Sequence, residues 1–356
     1  MFFHRIIPDL SMIRAFHHSV PMIIVMVLCC VSCSDSTAPI VEQCSPITMK
    51  LPSGVSLIPF SAHQSFSQPV FELGRALFYD VTLSGDASVS CASCHKQEFG
   101  FSDAGHIVSK GVANESGMRN APSIVNAAFQ SSFFMDGRAV SLEDQIEDAL
   151  RSPNEMYATD SNVKQAVMQS ETLLQLWNRA CGQQEISVKG IANAIGVFTR
   201  MIISGSSRYD AFLDGNLSAL NAQEQRGKVL FEGKAHCVTC HGGPHLSDGK
   251  FHSTGLHTHY YDKGRYYVTK SDKDIGTFKT PSLRNIALTH PYMHDGSLEN
   301  LRAVIEHYNV GGKQFINKSI DIIPLNMTSD DMDDLEAFLH AFTDSSLIRN
   351  SCFAKP

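Results

Sequence analysis

The sequence predicts a mainly α-helical protein made of two related halves, and three observations carry that expectation. Apolar residues recur at helical spacing, with no long alternating strand run to compete. Two short stretches, Cys91-Ala-Ser-Cys94-His95 and Cys237-Val-Thr-Cys240-His241, share one C-x-x-C-H pattern. The segments flanking these stretches repeat in the same order.

The C-x-x-C-H spacing is the one that attaches a c-type heme. Two thiols add across the heme vinyl groups, and the His directly after the second Cys reaches the iron as proximal ligand. A single copy would also suit a zinc or redox C-x-x-C that happens to precede a His. Two copies in matching surroundings favour two covalent heme c groups, one on Cys91, Cys94 and His95 and one on Cys237, Cys240 and His241.

The repeat extends on both sides of the motifs. Gly74-Arg-Ala-Leu-Phe78 precedes the first and Gly227-Lys-Val-Leu-Phe231 the second; Phe101-Ser-Asp103 follows the first and Leu246-Ser-Asp248 the second. Ala121-Pro-Ser-Ile-Val-Asn126 leads, 14 residues from Pro to Asp, to Asp136-Gly137, and Thr280-Pro-Ser-Leu-Arg-Asn285 leads over the same 14 to Asp295-Gly296. Shared order and spacing mean a duplicated unit holding one heme per copy.

Before the first repeat lies an export signal. Arg5 and Arg14 precede an apolar run, Val20 to Val31, too short to span a bilayer comfortably. It ends at Val31-Ser32-Cys33, with a polar stretch after it. Residues 1–33 therefore read as a lipoprotein signal with Cys33 as the acylated first residue, anchoring a periplasmic protein to the membrane. Ordinary cleavage, releasing a soluble periplasmic protein, is the alternative. Export agrees with the hemes, because bacteria attach heme c outside the cytoplasmic membrane. Residues 34–68, rich in Ser, Pro and Thr, form a tether.

The remaining composition sets bounds. With 356 residues, 43% of them apolar, the chain has room for two ordinary domains. A formal charge of -7 argues against a nucleic-acid partner and permits a basic protein partner. Of ten cysteines, four serve heme and three belong to the signal, leaving Cys44, Cys181 and Cys352 for one disulfide of unspecified pairing plus a free thiol. Oligomeric state is not encoded in any feature of the chain.

Helices are expected over 162–180 and 187–204, with Gly182 and Gly205 as stops. Asn221 with Glu224 starts a helix before the second motif, and Thr328-Ser-Asp-Asp331 opens a last one whose Leu335, Phe338, Leu339 and Phe342 form an apolar stripe. Two mainly α cytochrome c-like domains follow, 69–215 and 216–350, with hemes near their interface.

The sixth position at each iron separates a carrier from an enzyme. The helix after each Asp-Gly is expected to cross the distal heme face. It offers Gln145 and Glu155 in the first copy, and His307 and Tyr308 in the second.

Here the chain resembles the bacterial di-heme cytochrome c peroxidases and MauG, which matures a tryptophan cofactor in methylamine dehydrogenase. The resemblance covers about residues 70 to 350. It rests on Leu73-Gly-Arg-Ala-Leu-Phe-Tyr-Asp80, both heme motifs, Arg119-Asn-Ala-Pro122, Asp136-Gly-Arg138 and Thr289-His-Pro-Tyr-Met-His-Asp-Gly296. It implies that the first heme binds hydrogen peroxide and that Gln145 and Glu155, ten residues apart, are its distal pair. Glu155 would move a proton from the near to the far peroxide oxygen, while Gln145 orients the peroxide. Asn120 with the Thr289 and Pro291 carbonyls would hold calcium between the hemes.

The chain departs from the peroxidases at four points. Gly111 or Val112 stands where they carry a His that caps the first iron, with His106 nearby as the other candidate. Tyr308, seventeen residues after Pro291, stands where they have a Met ligand to the second iron. In MauG that ligand is Tyr; Met293 is the other candidate here. Met135 replaces the inter-heme Trp, the only Trp being Trp177, and Ala149 replaces a Pro. The expected activity is peroxide reduction with electrons from a small c-type cytochrome or cupredoxin. MauG-like oxidation of a protein side chain is the second expectation, and a non-catalytic electron-transfer cytochrome the third.

Overall fold

A computed structural model describes residues 49–60 and 66–356. The signal, Cys33, Cys44 and most of the tether lie outside the described residues. Tertiary structure is helical, with one antiparallel pair of two-residue strands, Phe251–His252 and Phe278–Lys279. No helix among the described residues is long and apolar enough to cross a membrane.

The first half is built on α1 (Gln68–Phe78), α2 (Leu142–Arg151), α3 (Asp160–Gln169), α4 (Glu171–Cys181) and α5 (Val188–Arg200). The second uses α6 (Ala222–Glu232), α7 (Leu301–Asn309) and α8 (Ser329–His340). Asn221 and Thr328 form the expected capping boxes with Glu224 and Asp331. The helix expected over 162–180 is two helices. Ser170 turns extended and caps α4 by accepting from the Leu173 N–H at 3.2 Å, a position serine prefers to a helix interior. The next helix stops at Arg200, short of Gly205, because tertiary bonds claim the backbone beyond it. Asn126 N–H donates to the Ile202 carbonyl at 2.9 Å, and Ser204 N–H to Asn126 Oδ1 at 2.7 Å.

The duplication is visible in geometry. Asn285 repeats the Asn126 clasp, donating to Phe342 O at 3.1 Å and accepting from Asp344 N–H at 2.8 Å. Both asparagines are left-handed, at φ 59° and 60°. In each half one glycine lets two helices touch. A Cβ on Gly74 would collide with the Ala194 carbonyl of α5, and one on Gly227 with the Asp334 carbonyl of α8. Gly74→Ala and Gly227→Ala are each expected to destabilise the protein by about 1–3 kcal/mol, seen as a lower urea midpoint at unchanged heme content.

Phe71, Leu77, Phe78, Trp177 and Phe198 fill the first core, and Phe231, Leu301, Ile305, Phe338 and Phe342 the second. The chain end then returns to the first half. Leu347 and Phe353 join its core, Tyr79 Oη donates to Phe353 O at 2.6 Å, and Gln97 Nε2 donates to Leu347 O at 3.0 Å. Cys352 is disulfide-bonded and Cys181 is a free thiol.

Candidate functional site

Each C-x-x-C-H stretch forms a single helical turn, and its His is turned inward by one hydrogen bond. His95 Nδ1 lies 3.1 Å from the Phe101 carbonyl, and His241 Nδ1 lies 3.1 Å from that of Leu246. A carbonyl can only accept, so Nδ1 carries the proton and Nε2 keeps its lone pair for a metal. Burial lowers both imidazole pKa values, keeping the rings neutral. Carbonyls of Pro122 and Pro281, equivalent residues of the two repeats, also face these rings. Burial pushes the Cys91 and Cys237 thiols up to about 12. Such surroundings favour neutral thioether sulfur over the thiolates that bind zinc, so both sites fit covalent heme.

The two distal helices differ at several positions, and one of them bears on the iron. From Asn120 and Lys279 onward the repeats are offset by 159 residues, which makes Ala149 on α2 the counterpart of Tyr308 on α7. Both helices start at matching leucines and carry matching caps, Ser141 accepting from Asp144 N–H and Asn300 from Ala303 N–H. A methyl group therefore stands in the first half where a phenol stands in the second. Tyr308 lines a cavity of ≈ 440 Å³ together with Cys237, Cys240 and His241. Burial raises its phenol pKa, and the neighbouring Cys237 and Cys240 add to the shift. A phenolate here needs a cation opposite it, as a heme iron would be. His307 is absent from that lining and its Nε2 faces the Thr254 carbonyl at 3.2 Å. Met293 does line the cavity.

In the first half, Glu155 is close enough to Cys91 and Cys94 for its charge to raise both thiol pKa values. Glu155 is exposed at the surface, yet the protein packed around its carboxyl raises its pKa by desolvation, with Arg138 opposing. Gln145 lines the ≈ 440 Å³ cavity shared with the second half, whereas Glu155 is not among its walls. Gly111 and Val112 are pinned. Val112 N–H donates to the Glu155 carbonyl at 2.8 Å, and a Cβ on Gly111 would collide with the carbonyls of Asn154 and Glu155. His106 bonds Asp103 Oδ1 through Nδ1 at 3.0 Å, and its side chain is 58% exposed.

Between the halves, Asn120, Thr289, Pro291 and Met135 line the same cavity. Asn120 Nδ2 donates to the His106 and Ile107 carbonyls at 3.0 and 3.2 Å. Its Oδ1 and the carbonyls of Thr289 and Pro291 accept no hydrogen bond among the described residues. Unclaimed neutral oxygens of this kind fit calcium. Trp177 is remote from this region, a core residue of the first half.

Sequence reasoning missed the strap over this junction. His241 to Pro281 spans 40 residues against 27 from His95 to Pro122, and that excess was the available signal. From the longer segment, Asp262 grips Arg119 (Nε–Oδ2 2.6 Å), which also binds Asp136 at 2.8 Å. Arg265 Nη1 donates to the Asp136 carbonyl at 2.9 Å, and Phe278 stacks on His294 at 3.8 Å.

Two pseudo-equivalent C-x-x-C-His sites in a helical frame define a di-heme c-type oxidoreductase. Residues 68–218 match the family described as di-haem cytochrome c peroxidase, and residues 224–343 match cytochrome c. The cytochrome-c peroxidase IdrP1 of Pseudomonas sp. (strain SCT) is 32% identical over 80% of this chain and 84% of its own. The methylamine utilization protein MauG of Methylorubrum extorquens is 36% identical over 75% of this chain and 76% of its own. The crystal structure of a MauG-like protein associated with microbial copper homeostasis superposes with TM-score 0.81 at 36% identity, covering 86% of this chain and 98% of that one. The chain belongs to the di-heme cytochrome c peroxidase and MauG family, and heme c is its cofactor.

Proposed function

We propose that this protein is a hydrogen peroxide-dependent di-heme oxidoreductase whose first heme site is open at rest and whose electrons come from a protein side chain, as in MauG. The observation that carries this reading is the pinned Gly111–Val112 segment, with Ala149 at the Tyr308-equivalent position. No capping histidine has to be withdrawn before peroxide enters. Tyr308 beside Cys237, Cys240 and His241 and the MauG-like neighbour, covered over 98% of its own length, support the same reading. They shift the weight from a small-donor peroxidase, the leading expectation of the sequence, toward side-chain oxidation.

When bound, the hemes hold and pass the two electrons that reduction of one hydrogen peroxide to two waters requires. The protein's residues do the rest. Cys91, Cys94, Cys237 and Cys240 anchor the porphyrins, and His95 and His241 hold the irons through Nε2. Glu155 takes a proton from the near peroxide oxygen and returns it to the far one, so that oxygen leaves as water. Gln145 orients the peroxide through its amide. Tyr308 closes the second iron, with Met293 as the alternative. Asn120, Thr289 and Pro291 hold calcium, and Cys33 anchors the exported protein in a membrane facing the periplasm.

A second reading, peroxidase activity on a reduced c-type cytochrome or cupredoxin, is favoured by the relatives named cytochrome-c peroxidase. The deciding experiment is steady-state peroxide consumption with and without reduced cytochrome c, beside a ferric spectrum. One high-spin heme and stoichiometric reaction with peroxide before any reduction are expected. Fast turnover on cytochrome c would assign the peroxidase reading. Two low-spin hemes silent to peroxide would leave only an electron carrier.

A further inference from the structure

The 159-residue offset lays Asn120 on Lys279, Gln130 on Thr289, Ser132 on Pro291 and Met135 on His294. The halves reach across to each other reciprocally at these positions. Asn120 N–H donates to the His294 carbonyl at 2.9 Å, and Lys279 N–H donates to the Met135 carbonyl at 2.8 Å. The surroundings of Asn120 and Lys279 are therefore pseudo-symmetric mates.

What fills the two surroundings differs. Beside Asn120 stand the three unclaimed oxygens described above. Beside Lys279, the ammonium itself donates to the Ser132 carbonyl at 2.6 Å and to Gln130 Oε1 at 2.5 Å. The Ser132 carbonyl is the repeat mate of the Pro291 carbonyl. Gln130 offers a side-chain oxygen from the position whose mate, Thr289, offers its carbonyl. Asp136, buried nearby, favours the positive charge, and burial brings the Lys279 pKa down to about 8, so the ammonium is predominantly charged at neutral pH.

We propose that the Lys279 ammonium is a built-in cation occupying the second seat of a duplicated cation site, whose first seat takes calcium through Asn120, Thr289 and Pro291. The proposal rests on the calcium reading given above and extends it. Carbonyl and amide oxygens that no protein N–H or O–H satisfies attract positive charge, and at the second seat the Lys279 ammonium supplies it. A lysine supplies it covalently, and an asparagine leaves room for an ion. Each cation ties the segment before the Asp-Gly turn of one half to the Asn120 or Lys279 segment of the other. The chain accordingly binds one calcium rather than two, and chelation loosens only one side of the junction.

The test is calcium content of the di-heme protein by mass spectrometry after gel filtration, beside heme spectra and thermal midpoint with and without EDTA. Wild type is expected to hold one calcium and Lys279→Asn two. Asn120→Ala and Asn120→Lys should both hold none. Asn120→Lys, however, should keep the spectrum and midpoint of calcium-loaded wild type and ignore EDTA, whereas Asn120→Ala should match the EDTA-treated protein. A folded Lys279→Asn protein that still holds one calcium, or an Asn120→Lys protein that behaves like Asn120→Ala, would overturn the proposal while leaving the calcium reading intact. Wild type without calcium would overturn both. If Lys279→Asn does not fold, the comparison of the two Asn120 variants decides.

Discussion

Glu155→Gln is expected to slow the reaction with peroxide by about 10²–10⁴-fold while both hemes stay attached, since the amide keeps the shape but loses the proton-accepting carboxylate. The pH profile gives a second readout. Desolvation raises the Glu155 pKa above its ordinary 4.5. As a base the residue works only when ionised, so the rate of the wild-type protein should rise with pH through a step displaced above the usual carboxylate range. That step should be missing in Glu155→Gln. Linkage gives stability the opposite sign. A carboxyl whose pKa is raised by folding contributes stability at low pH that is lost as pH rises through the folded value. A rate that is unaffected by the substitution, or a pH step that survives in the variant, would remove Glu155 from the mechanism. Arg138, whose charge opposes the rise, sets how far the step is displaced.

The second large effect is expected at Tyr308. Tyr308→Phe should abolish the spectral signature of the second heme's distal ligand and raise that heme's reduction potential, because an anionic oxygen favours the ferric state. Met293→Leu should leave both unchanged. Spectra and potentiometric titration of the two variants measure this directly, and the reverse pattern would transfer the ligand role to Met293. The physical case for Tyr308 is the cavity it shares with Cys237, Cys240 and His241, while His307 bonds the Thr254 carbonyl. Peroxide chemistry at the first heme should survive initially in Tyr308→Phe, because the second half's substitution leaves the Glu155 side untouched.

The same pair of neighbours shows where a sequence stops being informative. His307 and Tyr308 are adjacent on one helix, and adjacent side chains point about 100° apart. Either could have faced the heme until the packing of α7 fixed its rotation. The strap was hidden for a related reason. Asp262 and Arg119 are far apart in the chain, and only the excess length of the second repeat hinted that something extra had to be accommodated. No sequence motif singles out Lys279, and only the reciprocal backbone bonds locate it opposite the Asn120 site. The chain end was equally silent, since nothing in residues 347–354 distinguishes a segment packed on the second half from one inserted into the first core.

By itself the sequence determined the chemistry carried by local spacing. This covers two C-x-x-C-H anchors, a duplicated helical unit, helix starts at Asn221 and Thr328, and distal segments that offer Gln145 and Glu155 in one copy and His307 and Tyr308 in the other. Such features depend on residues within a few turns of one another, where covalent geometry leaves little choice. The tertiary structure alone decided which side chain faces the cavity, that Gly111–Val112 is locked against Asn154–Glu155, and that Asn120 and Lys279 each reach across to the other half. Those outcomes depend on contacts between segments distant in the chain, whose relative position is set only when the two cores pack together.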